Sequence, residues 1–114
     1  MQLTINDKTY NVKFGVKFVR TLDSVFATER EGLKFGFSLN TKIPELMTGN
    51  IAALADILYY GTVTESPRPS MAKIEEFVEE HEDLEGLFDE VIKELSESNA
   101  GKSMMAGMEA NLEK

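Results

Sequence analysis

The residues with the most chemistry to offer form one run, Glu79, Glu80, His81, Glu82 and Asp83, which contains the chain's single histidine. An imidazole beside carboxylates is the raw material of a general base or a metal site. A catalytic triad would have to use His81, yet cysteine is absent and no serine lies in a nucleophile motif. A calcium loop alternates its oxygen ligands and turns on a glycine, and this run does neither. Zinc asks for a second nitrogen or sulfur ligand. The run therefore reads as a solvated helix face with a surface histidine, and no catalytic, cofactor or metal residues are assigned. The glycines fare no better: Gly32 and Gly36 lack the Gly-Lys-Ser/Thr ending of a phosphate loop, and Gly101-Lys102-Ser103 lacks its upstream glycine spacing.

What remains is chemistry of interaction. Residues 1–60 carry 7 Lys/Arg against 6 Asp/Glu, whereas residues 61–114 carry 5 against 14, so nearly all of the net charge of −8 belongs to the second half. Met71 to Glu97 holds 11 acidic residues and two lysines. Glu75/Glu79 and Glu76/Glu80 are like-charge pairs one helical turn apart, each mildly destabilising. Such a surface repels a phosphate backbone, so direct nucleic-acid binding is not expected. Two readings stay open: a soluble outer face, or an acidic surface that captures a basic or aggregation-prone protein. Met104, Met105 and Met108 have the same two sides, since methionine adapts to a partner's irregular apolar surface but also fills a chain's own core.

These groups must be positioned by a small domain, because 114 residues with 42% apolar content support one modest core. MQLTINDKTYNVKF alternates on both sides of Asn6-Asp7. It predicts a hairpin with Met1, Leu3, Ile5, Tyr10 and Val12 on one face. The period then changes, and Phe14, Phe18, Leu22, Val25 and Phe26 predict a helix over about 15–30. Residues 32–44 read as a short strand or an extended loop, with Pro44 opening a turn or short helix through Met47. Ile51, Leu54, Ala55 and Leu58 mark a helix over about 50–60, ended by Gly61. GTVTESPRPS is a connector. Ser70 caps a helix with Met71, Ile74, Phe77 and Val78 inward. His81–Asp83 form a joint, and Leu84, Leu87, Phe88, Val91, Ile92 and Leu95 mark the last strong helix. The expected fold is α+β and mainly helical: an N-terminal hairpin, about four helices, a globular unit over 1–97 and a flexible or weakly helical tail over 98–114. No window holds the roughly 18 apolar residues of a membrane span, and no signal-like opening is present, so cytosolic residence is expected.

Asn6-Asp7-Lys8, Tyr10, Phe14-Gly15, Phe18, Leu22 and Asp23 follow one another in an order that resembles the N-terminus of siphophage and prophage tail assembly chaperones. GNIAALADILYYGT, the proline-containing connector and the acidic helix pair ending at EVIKEL continue the resemblance through about residue 97. Asp7 stands where that family commonly has glycine. The resemblance implies a non-catalytic tail assembly chaperone. Its implied partners are the tape measure protein, the major tail protein and further copies of itself, without nucleic acid, membrane or cofactor. It also implies residence in the host bacterial cytoplasm and absence from the mature virion. Glu75, Glu76, Glu79, Glu80, Met104, Met105 and Met108 are the candidate protein-binding residues. The alternatives are an acidic, DNA-mimicking inhibitor of a host protein and a structural tail-completion protein.

Overall fold

The computed structural model describes residues 1–26 and 37–102. Two strands, β1 (Gln2–Ile5) and β2 (Lys8–Asn11), pair antiparallel with Ile5 opposite Lys8 and Leu3 opposite Tyr10. Asn6 (φ 50°) and Asp7 (φ 67°) make the turn in left-handed backbone, the geometry that matches strand twist and that Asn and Asp tolerate. Alternation then sorts the side chains as expected. Leu3 and Val12 are buried and Met1 and Ile5 pack on the core, while the Thr4 and Thr9 hydroxyls share a hydrogen bond of 3.2 Å on the exposed face. A two-stranded hairpin is marginal alone, so this one depends on the helices beneath it.

Those helices are α1 (Val16–Phe26), α2 (Phe37–Met47), α3 (Ile51–Gly61), α4 (Met71–Glu80) and α5 (Leu84–Glu97). The central one is α3, whose Ala53, Leu54, Ala55, Ile57 and Leu58 are all buried and which packs against α1, α2 and α4. Its start is set by a two-residue joint. Gly49 (φ 83°) ends α2 in left-handed backbone, and the Asn50 side chain then accepts the Ala53 N–H at 3.0 Å. Ser70 caps α4 in the same way through the Lys73 N–H at 3.2 Å, and Asp83 caps α5 through the Gly86 N–H at 3.0 Å. The connector turns over residues 62–64 and is held in place: Arg68 donates to the Tyr59 carbonyl at 3.1 Å and lies 4.0 Å over the Tyr59 ring.

The structure corrects several expectations. Residues 37–47 form one helix with Pro44 inside it, so the stretch before Pro44 is helical rather than extended, and Pro44 continues that helix through Met47 rather than opening a turn or short helix of its own. Leu39, Ile43 and Leu46 recur at helical spacing and are all buried. That burial offsets the missing proline hydrogen bond, worth about 3 kcal/mol with its associated clash. Lys42 fastens this helix to α3 through Asp56 at 3.1 Å and sits 4.3 Å over the Phe26 ring. Leu33 and Phe35, read in the same alternation, lie outside the described residues, as does the expected extension of α1 through Arg30. Val25 is 44% exposed, because Phe26 takes the inward position against Tyr60. Ile51, the first residue of α3, is 45% exposed, while Leu54, Ala55 and Leu58 of the same expected stripe are buried.

The hairpin meets the end of α3 at Gly61. The Lys13 N–H donates to the Gly61 carbonyl at 2.8 Å, and a Cβ on Gly61 would fall 2.5 Å from Val12 Cγ1 and 3.0 Å from the Phe14 ring. Gly61→Ala is therefore expected to lose about 1–3 kcal/mol by overpacking, measured as a lower urea midpoint with an unchanged slope. Ser70→Ala, which removes only a cap, is expected to cost about 1 kcal/mol. Equal stability of Gly61→Ala and the parent chain would show that the hairpin does not need this close approach.

Candidate partner-binding surface

On α4 the inward positions are Ile74 and Val78, with Phe77 half-buried. The four expected carboxylates, Glu75, Glu76, Glu79 and Glu80, are all exposed on the other side of the helix. None of them forms an ion pair among the described residues. Successive turns thus present two like-charge pairs to solvent with no ion-pair partner among the described residues. The acidic surface continues on α5 with exposed Glu85, Asp89, Glu90 and Glu97.

Beside that charge lies apolar surface the protein does not bury. On α5, Leu87, Val91 and Leu95 point into the core, whereas Leu84, Phe88 and Ile92 are half-buried. They border a shallow depression of about 420 Å³ that also takes in Leu46, Met47 and the acidic Glu85 and Asp89. Met47 is 59% exposed there. Half-buried apolar side chains thus lie directly beside solvated charge.

A second concavity has the opposite charge. A groove of about 1090 Å³ runs between the hairpin–α1 junction and the end of α5, walled on the α5 side by Ser98, Asn99 and Ala100. Its floor is the buried Phe14, Phe18 and Leu39, Val16 stands 69% exposed beside it, and Lys13, Lys17 and Arg20 line it together with Glu94, which pairs with the N-terminal ammonium at 3.6 Å. Sequence reasoning missed it. The available signal was the spacing of Lys13, Lys17 and Arg20, which sets three cations on one side of the α1 entrance.

His81 departs from the solvated side chain expected of it. It is half-buried, its ring lies 5.3 Å from that of Phe77, and its Nδ1 is enclosed without a hydrogen-bond partner. It borders a hollow of about 500 Å³ beneath the hairpin turn, with Thr4, Ile5, Asn6, Glu76 and Glu80. Asp83, the nearest acid of the joint to α5, is committed to capping that helix. Among the described residues no three His, Cys, Asp or Glu side chains converge as metal ligands. Burial, and then the negative charge of Asp56, push the Tyr60 phenol above its ordinary value, so it is a neutral hydroxyl at physiological pH. No helix among the described residues is long and apolar enough to cross a membrane. Met104, Met105 and Met108 lie outside the described residues, so the acidic face is the part of the expected site that the structure places.

Residues 2–109 match the family described as phage tail assembly chaperone protein, TAC. No curated protein and no solved structure matches the chain. The match runs from the first residue of β1 through the acidic helix pair and on into the methionine-containing tail, and the chain belongs to the phage tail assembly chaperone family.

Proposed function

We propose that this protein is a non-catalytic chaperone that holds the tape measure protein during tail assembly and helps deliver major tail protein subunits to it. Family membership supports the tail assembly role. The observation that carries the finer reading is the exposed carboxylate row of α4, without an ion pair among the described residues, beside the half-buried Leu84, Phe88 and Ile92 of α5. Like charges one turn apart cost helix stability, and a surface that keeps them gains solubility and attraction for basic segments of a client. The apolar stripe supplies grip that is indifferent to sequence, and Met104, Met105 and Met108 add adaptable anchors of the same kind. The protein acts in this reading as a homo-oligomer in the host bacterial cytoplasm and leaves before the virion is complete.

Co-expression with the tape measure protein of the same genome tests this. The parent chain is expected to keep that long protein soluble and to co-purify with it. The quadruple variant Glu75→Lys, Glu76→Lys, Glu79→Lys, Glu80→Lys is expected to keep its helical circular dichroism and lose most of the co-purified client. A client that stays soluble and bound with the charge-reversed variant contradicts an acidic grip. Recovery of a host nuclease or polymerase subunit in place of tail proteins would favour the DNA-mimic alternative, and presence in purified particles would favour a structural tail component.

The like-charge pairs yield a second expectation. Glu79→Gln with Glu80→Gln is expected to raise the melting temperature slightly at low salt, with the gain shrinking as salt is added. A lower melting temperature would mean that these carboxylates stabilise the fold, which the account does not allow.

A further inference from the structure

The hairpin is tied down along one edge and open along the other. At its base the Val12 N–H donates to the Met1 carbonyl at 2.8 Å, and the Met1 ammonium donates to the Val12 carbonyl at 3.4 Å. Bonded and non-bonded pairs alternate along an antiparallel ladder. In the register Gln2–Asn11, Leu3–Tyr10, Thr4–Thr9, the backbone groups of Gln2, Thr4, Thr9 and Asn11 therefore point outward. On the β2 side, the Glu65 carboxylate of the connector accepts the Asn11 N–H. On the β1 side, Gln2 and Thr4 are exposed, and their outward N–H and C=O groups have no partner among the described residues. Such an edge is a template for another strand.

The surface beside the open edge selects the occupant. Of the hairpin, only Thr4, Ile5 and Asn6 border the hollow of about 500 Å³ over α4, so the hollow lies on the β1 side. Half-buried Ile5 and Phe77 give it apolar surface, and exposed Glu76, Glu80 and Glu82 rim it against a single cation, Lys73. A strand added to β1 turns every second side chain toward this hollow. An arginine in such a position lays its aliphatic stem on Phe77 and sets its guanidinium beside Glu76 and Glu80. The alternate side chains lie in water next to those of Gln2 and Thr4. The β1 strand of a second copy does not suit the site. Its inward side chains, Leu3 and Ile5, are packed in their own core, and the pairing would bring two acidic rims together.

We infer that the open edge of β1 receives an extended segment of a partner protein by strand addition, with arginine or lysine at its inward positions, over Phe77 and between Glu76 and Glu80. Backbone pairing supplies affinity that is indifferent to sequence, and the acidic rim selects basic segments. The inference specifies how the α4 face holds a basic stretch of its client, and it rests on that reading of the face. The pairing itself is testable without the client.

The probe is a short capped peptide of alternating threonine and arginine, added to the full-length protein. It is expected to slow amide hydrogen exchange at Gln2 and Thr4 several-fold and to leave Thr9, on the opposite edge, unchanged. The same peptide methylated on its backbone nitrogens keeps its charge but cannot pair, and it is expected to leave Gln2 and Thr4 exchanging as in the free protein. Glu76→Gln with Glu80→Gln is expected to weaken binding of the unmethylated peptide several-fold. Binding without slower exchange at Gln2 and Thr4 overturns the inference while leaving an acidic grip on the client standing. Absence of binding, equal protection by the methylated peptide, or protection at Thr9 in place of Thr4 also overturns it. So does slowing at Gln2 and Thr4 produced by raising the protein concentration alone, which would place a second copy on the edge.

Discussion

The approach of the hairpin to the end of α3 is the constraint on which the rest of the molecule depends. Two short strands cannot hold themselves together in water, and α3, buried along most of its length, needs a cover at its C-terminal end. Gly61 satisfies both needs by letting Val12 and Phe14 approach where a side chain would not fit, while its carbonyl takes the Lys13 N–H. From that junction Phe14 leads directly into α1, so the hairpin's position also sets where Phe18 and Leu22 enter the core. The Asn11 N–H, held at 2.6 Å by the Glu65 carboxylate, ties the other side of the hairpin to the connector.

With the core organised around α3, the second half of the chain can carry most of the negative charge. On α4, Ile74 and Val78 are fully covered, and that modest inner face carries a helix whose outer face is dominated by carboxylates. On α5 the inner row of Leu87, Val91 and Leu95 anchors the helix and leaves Leu84, Phe88 and Ile92 only half covered. The cost in helix stability is small per pair, and the Ser70 and Asp83 caps offset part of it. The N-terminal half is nearly neutral, and Lys13, Lys17 and Arg20 gather at the α1 entrance. One small domain thus sets an acidic surface beside the half-buried Leu84, Phe88 and Ile92, and a group of cations around the exposed Val16.

Legibility from the sequence tracked how local each determinant is. The hairpin was readable because Asn6-Asp7 and the alternation around it fix turn and register within fourteen residues. The α4 cap at Ser70, the joint at His81–Asp83 and the solvated row of Glu75, Glu76, Glu79 and Glu80 were readable for the same reason, since exposed charge needs no tertiary context. The helix α2 was not, because Pro44 and the nearby glycines outweigh the Leu39, Ile43 and Leu46 stripe until burial against α3 and α5 is known. Ile51 and Val25 carried the right type at the right spacing, yet Ile51 opens its helix at the rim of the core and Phe26 takes the inward position beside Val25. The groove was hidden because its walls, the α1 entrance and Ser98–Ala100, are some eighty residues apart in sequence. The half-buried state of His81 depends on Phe77 beneath its ring, a contact that the acidic run around it gave no reason to expect.

Amide hydrogen exchange of the full chain, alone and saturated with tape measure protein, tests the central claim most directly. The account predicts slowed exchange across α4 and the first two turns of α5, where the carboxylate row and the Leu84, Phe88 and Ile92 stripe lie. Exchange in those helices that is unchanged while the tape measure protein is bound, or an absence of binding altogether, would contradict it.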